Sequence, residues 1–110
     1  MSEGIEKAVD TLYYNAELRS RVLEAATDAV KRFIFLHGMT EKHEEEAAKA
    51  VRHALEENTT ARGSEDLRHV AEEAIEASFK RFGFDDAKIL GDLYVFLDEE
   101  MKAQFQSQEL

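Results

Sequence analysis

The chain contains no proline and only five glycines among its 110 residues. Proline breaks helices because it lacks a backbone N–H and clashes with the preceding turn, whereas glycine commonly ends them. Gly38, Gly63 and Gly83 fall between segments of helical periodicity. No stretch of useful length shows the alternation expected of a strand, so the sequence predicts an all-α fold.

Apolar side chains recur at helical spacing in the first third of the chain. The segment Asn15–His37 has a clean apolar face, and an earlier stripe that begins at Ile5 is only slightly out of phase with it. The pattern is compatible with one long helix. It is equally compatible with two helices separated by a break near Asn15, which could act as an N-cap.

Three further helices are predicted. Two of them follow the candidate N-caps Thr40 and Ser64, and the last spans about 86–105. We therefore expect a compact antiparallel-type bundle of four principal helices, or five if the first is broken, forming a single domain over residues 1–110.

The last predicted helix is the most apolar. Its run Leu93-Tyr94-Val95-Phe96-Leu97 is apolar on all sides. A stripe this wide indicates contact with more than one neighbour. Either this helix is central in the bundle, or part of it faces another subunit.

Composition excludes several classes of function. The absence of cysteine excludes disulfides, thiolate nucleophiles and cysteine-ligated zinc. The net charge of −10 disfavours binding to nucleic acid and to anionic membranes, although a basic partner or mimicry of nucleic acid stays open. No run is long enough to span a bilayer, and the acidic start lacks a signal peptide's apolar core, so we expect a cytoplasmic protein.

No motif of a catalytic or cofactor site appears. The sequence has no Gly-x-Ser-x-Gly, no glycine-rich phosphate loop and no His-Glu-x-x-His. The runs of glutamate at 44–46, 72–73 and 99–100 fall largely on polar helix faces, where carboxylates are normally solvated. We therefore predict no catalytic residue, no cofactor and no enzymatic activity.

Two histidines flank the first turn. His37 has the phase of the apolar residues before Gly38, and His43 has the phase of those that follow Thr40. Both could reach one half-buried spot and bind a small ligand or a metal, because histidine titrates near neutrality and ligates metals readily. The alternative is two half-buried histidines that satisfy helix-end carbonyls.

Aromatic and apolar residues give the strongest functional indication. Tyr14, Phe35 and Val95 lie on the polar sides of otherwise clean helix wheels, and Tyr94 and Phe96 flank Val95. A cluster of exposed apolar side chains would mark an interface, whereas single ones need no explanation. These five residues predict a partner interface in a homodimer or with another protein. The function that we predict is a non-enzymatic interaction or regulatory module.

Overall fold

Four α-helices make up the computed structural model of the chain, which describes the backbone of residues 2–61 and 63–106 and the side chains of residues 16–61 and 63–105. The helices are α1 (Ser2–His37), α2 (Glu41–Glu57), α3 (Ser64–Arg81) and α4 (Ala87–Gln106). No strand occurs within the described residues, which confirms the predicted all-α bundle. α1 runs through Asn15 as one helix of 36 residues, so the structure does not show the break considered there.

Glycine ends two of these helices. Gly38 and Gly83 have φ values of +67° and +88°, in the left-handed region that glycine occupies without strain. The N–H of Met39 donates to the carbonyl of Ile34 over 3.0 Å, and a corresponding bond of 2.9 Å follows Gly83. These are the six-to-one bonds of Schellman motifs, so both glycines end their helices as the sequence predicts.

The long helix α1 packs against all three of the others. α2 returns along it after a short turn at residues 38–40. α3 runs in the same direction as α1, since the rings of Phe33 and Phe79, each near the end of its helix, stack with centroids 4.8 Å apart. The central position of the bundle therefore belongs to α1.

The apolar helix α4 lies at the edge of the bundle and packs most closely against α1. It is antiparallel to α1, because Asp92 near its start pairs with His37 and Glu99 further along pairs with Arg32. It reaches α3 through longer side chains such as that of Tyr94. Of the two explanations for its wide apolar stripe, the central one does not apply, and one face of α4 stays open.

The buried apolar residues of the four helices form one cluster. Three alanines of α1, at 25, 26 and 29, are fully buried within it. Their small side chains let neighbouring helices approach α1 closely, because the distance between helix axes depends on the side chains at the contact.

Candidate interaction surface

Three large apolar side chains are exposed in the described part of the chain. Phe35 is 90% exposed, Leu36 56% and Val95 54%. Single exposed apolar side chains are ordinary on a protein surface, so their significance depends on whether they lie together.

The pairing of α1 with α4 brings Phe35 and Val95 to the same level of the bundle. His37 Nε2 lies 3.1 Å from Asp92 Oδ2, and Arg32 Nη2 lies 2.8 Å from Glu99 Oε2. In an antiparallel pair held at these two points, the middle of the segment 32–37 of α1 lies opposite the middle of the segment 92–99 of α4. Phe35 therefore falls level with Val95.

Both side chains also point to the same side of the α1–α4 layer. Each side chain points away from the core, because it lies about half a turn around its helix from a fully buried residue. That residue is Phe33 in α1 and Leu93 in α4.

Leu36 follows Arg32 by one helical turn, and the half-buried Phe96 precedes Glu99 and Glu100 by one turn. Both side chains therefore lie near the seam between the two helices, which the ion pairs of Arg32 with these glutamates cross. We refer to Phe35, Leu36, Val95 and Phe96 as the apolar patch.

Arg32 holds the rim of the apolar patch in place. Its guanidinium carbon lies 4.3 Å from the ring centroid of Phe96, within the range of a cation–π contact. Its nitrogens also reach Glu99 at 2.8 Å and Glu100 at 3.2 Å. The hydrogen bond that Arg32 donates to the Glu99 carboxylate raises the pKa of Arg32 above its ordinary value. The Phe96 ring and its surrounding charges are therefore linked across the two helices.

Charges of both signs surround the apolar patch in nearly equal number. Within about two turns of it on α1 and α4 are four cations and five anions, whereas the whole chain has 14 basic and 24 acidic residues. They are Lys31, Arg32, Lys88 and Lys102, with Asp28, Asp92, Asp98, Glu99 and Glu100. The surface around the patch is therefore less acidic than the chain as a whole.

The structure places some, but not all, of the residues that the sequence predicts for an interface on the apolar patch. Phe35, Val95 and Phe96 belong to the apolar patch. Tyr94 is half-buried and points to α3, where its hydroxyl donates a hydrogen bond to Glu76. That bond, followed by burial, raises the pKa of Tyr94 to about 12. The side chain of Tyr14 lies outside the described residues.

Leu36 is not among the five residues that the sequence predicts for an interface. It lies in the run Phe33–Leu36, which is apolar on all sides of the helix end. A helix wheel alone cannot show that Leu36 is 56% exposed, because its position on the wheel is close to that of buried residues such as Ala25.

The two histidines near the first turn have separate sets of contacts. The ring of His37 packs on Phe33 with centroids 4.4 Å apart, and its Nε2 faces Asp92. His43 Nδ1 accepts the backbone N–H of Thr40 over 3.2 Å, at the start of α2. The His43 ring also has its edge against Phe82, with a centroid separation of 4.4 Å. His37 therefore links α1 to α4, whereas His43 caps α2.

Neither a cluster of metal-ligating side chains nor a membrane-spanning helix occurs within the described residues. They contain no group of three or more histidine, aspartate or glutamate side chains placed to hold a metal ion. None of their helices has an apolar segment that could cross a membrane.

Comparison with protein-family models, with curated proteins and with solved structures finds no significant match to the chain. The fold and its surface are therefore the basis on which a function is proposed.

Proposed function

We propose that this protein is a non-enzymatic interaction module that self-associates through the apolar patch of α1 and α4. The observation that carries the proposal is the alignment of Phe35 with Val95 on the outer face of two packed helices. Burying a phenylalanine side chain completely contributes about 1.5–3 kcal/mol relative to leaving it in water. The apolar patch gains this free energy when a second surface of matching shape covers it.

Charge favours a second copy of the chain as the partner. Two molecules that each carry a net charge of −10 repel one another through most of their surfaces. At the apolar patch the surrounding charges are nearly balanced, so two copies meet there with little repulsion. A two-fold dimer uses the same surface on both copies, and the patch supplies apolar groups from two helices to each side.

The rim of the apolar patch is already ordered in the single chain. Arg32 is held between Phe96, Glu99 and Glu100, so little side-chain freedom remains to be lost when a partner covers it. The patch is small, which places the dimer among the weak and reversible associations rather than the obligate ones. We expect dissociation constants in the micromolar range.

The positions of the glutamate runs support a structural role for these carboxylates. Glu99 and Glu100 hold Arg32 across the α1–α4 seam, and Glu72 pairs with Arg68 over 3.4 Å. These contacts link or stabilise helices. They do not converge on an enclosed cleft of the kind in which catalytic carboxylates normally lie.

Sedimentation velocity over a range of concentrations tests the proposal. We expect the wild-type chain to dimerise and Val95→Glu to weaken the dimer at least about tenfold, because a buried and unpaired carboxylate costs more than 1.4 kcal/mol. Val95 is exposed, so the monomer of this variant retains its fold. Ala77→Glu, an equal charge change at an exposed position of α3, is the matched control and leaves the dimer intact.

Two results would contradict the proposal. One is a wild-type chain that stays monomeric to high micromolar concentration. The other is an Ala77→Glu variant that loses association as completely as Val95→Glu.

A further inference from the structure

A groove between α1 and α2 lies at the opposite end of the bundle from the turn that contains Gly38. Its volume is about 340 Å³, within the usual range for small-molecule sites. Residues 16–23 of α1 form one wall and residues 52–56 of α2 form the other. It shares no residue with the apolar patch.

The floor of the groove is apolar. Leu55 is 2% exposed and belongs to the buried core, and the half-buried Leu23 packs against that core. Ala16 adds a third apolar group. An apolar chain placed in the groove would therefore contact the edge of the core and lose contact with water.

Two arginines stand on opposite walls, Arg19 on α1 and Arg52 on α2. One nitrogen of Arg19 donates to the backbone carbonyl of Asn58, just beyond the end of α2. Its Nε is buried and has no hydrogen-bond partner among the described residues. A guanidinium has five N–H donors, and the bond to Asn58 uses one of them. Because Nε is buried, a ligand in the groove would bind through the remaining Nη–H donors of Arg19.

The charge of the groove is opposite to that of the chain. Two guanidinium groups and one carboxylate, that of Glu56, line it, in a molecule whose net charge is −10. Arg52 is exposed and has no ion pair within the described part of the chain. Guanidinium groups match the planar geometry of a carboxylate and bind it through paired hydrogen bonds.

We propose that the α1–α2 groove binds a small amphipathic carboxylate, with the carboxylate at Arg52 and Arg19 and a short apolar chain over Leu23 and Leu55. The apolar floor favours a ligand with a hydrocarbon chain, and the two arginines favour one with a carboxylate. This site is separate from the proposed dimer interface, so either proposal can fail alone.

Calorimetric titration with octanoate, octan-1-ol and acetate tests the site. We expect octanoate to bind at least about tenfold more tightly than octan-1-ol, because hydrogen bonds between a guanidinium and a carboxylate are stronger than those to a neutral hydroxyl. Acetate has the charge without the chain and is expected to bind more weakly than octanoate. Amide resonances of Ala16, Leu23 and Leu55 should shift when octanoate binds.

A pair of variants on α2 makes the test specific. Arg52→Gln removes an exposed cation of the groove and should weaken octanoate binding about tenfold. Lys49→Gln removes an exposed cation that lies outside the α1–α2 groove on the same helix, so the loss of net charge is the same and octanoate binding should persist. Val95→Glu, which is designed to break the dimer, should also retain octanoate binding.

Three outcomes would overturn the proposal. The first is octanoate binding no tighter than octan-1-ol. The second is an equal loss of binding in Arg52→Gln and Lys49→Gln. The third is a set of octanoate-induced shifts at Phe35 and Val95 instead of at the α1–α2 groove.

Discussion

At the scale of single residues, Ser78 is the buried hydroxyl that the fold leaves unsatisfied. It is 0% exposed, and its Oγ has no hydrogen-bond partner among the described residues. An unpaired buried hydroxyl costs about 1–3 kcal/mol of stability. Ser78→Ala should therefore raise the free energy of unfolding by about 1 kcal/mol, as measured by urea denaturation.

The matched control for that substitution is Ser20→Ala on the exposed side of α1. Both changes gain the higher helix propensity of alanine, but Ser78→Ala alone removes a buried polar group. A Ser78→Ala variant that is less stable than Ser20→Ala would mean that the hydroxyl of Ser78 has an acceptor in the folded protein.

Tyr94 makes the stability of the fold depend on pH in the alkaline range. Its hydrogen bond to Glu76 favours the protonated phenol and raises the pKa of Tyr94 to about 12, from an ordinary value of about 10. The stabilisation is therefore complete below pH 10 and is lost as the pH rises towards 12. Tyr94→Phe should cost about 1–2 kcal/mol at neutral pH, and the difference from wild type should shrink across that interval.

Urea denaturation at several pH values measures this difference in stability. The tyrosinate absorbance of wild type minus that of Tyr94→Phe isolates the titration of Tyr94 from that of the other tyrosines. A stability difference that stays constant from neutral pH to pH 12 would show that the bond to Glu76 does not form in solution.

Helix wheels predict exposure well at some residues and poorly at others. Phe35 and Val95 oppose the apolar faces of their own helices, so their exposure follows from local periodicity alone. Tyr94 occupies the edge of an apolar face, and its contact with Glu76 depends on how α3 and α4 are placed. His43 resembles a ligand in sequence, but it accepts the N–H of Thr40 as a cap, a contact set by local geometry.

At the scale of helices and turns, glycine has opposite effects at two positions. Gly83 has φ +88°, where a side chain is strained, whereas Gly91 lies inside α4 with open space around it. Gly83→Ala should lower the free energy of unfolding by about 1–2 kcal/mol. Gly91→Ala should raise it by about 0.5–1 kcal/mol, because alanine loses less backbone entropy in a helix.

Thermal and urea denaturation of the two variants measures these effects. Opposite signs are expected for the same chemical change. Equal effects of the two substitutions would exclude the Schellman geometry as the reason for glycine at position 83.

Helix boundaries were largely predictable because caps are local signals. Thr40 precedes α2 as expected, but Gly63 is the residue that precedes α3, and Ser64 is already inside that helix. The neighbours of each helix were not predictable. The wide apolar stripe of α4 fits a central or an interfacial helix equally well, and only the packing shows that α1 is central.

At the scale of the whole molecule, the net charge of −10 is unevenly distributed. The charges near the apolar patch are almost balanced, whereas the remaining surface carries most of the acidic excess. A chain organised in this way is repelled by its own copies in most orientations. The surface of α1 and α4 around the apolar patch is the exception, and this combination of apolar exposure and local charge balance is the basis of the proposed dimer.

Intermolecular nuclear Overhauser effects between labelled and unlabelled copies test that association most directly. The dimer predicts contacts from the Val95 methyl groups of one copy to aromatic protons of the apolar patch, Phe35 or Phe96, in the other. These contacts should vanish in Val95→Glu. Intermolecular contacts confined to another face, or none at concentrations up to the high micromolar range, would contradict self-association through α1 and α4.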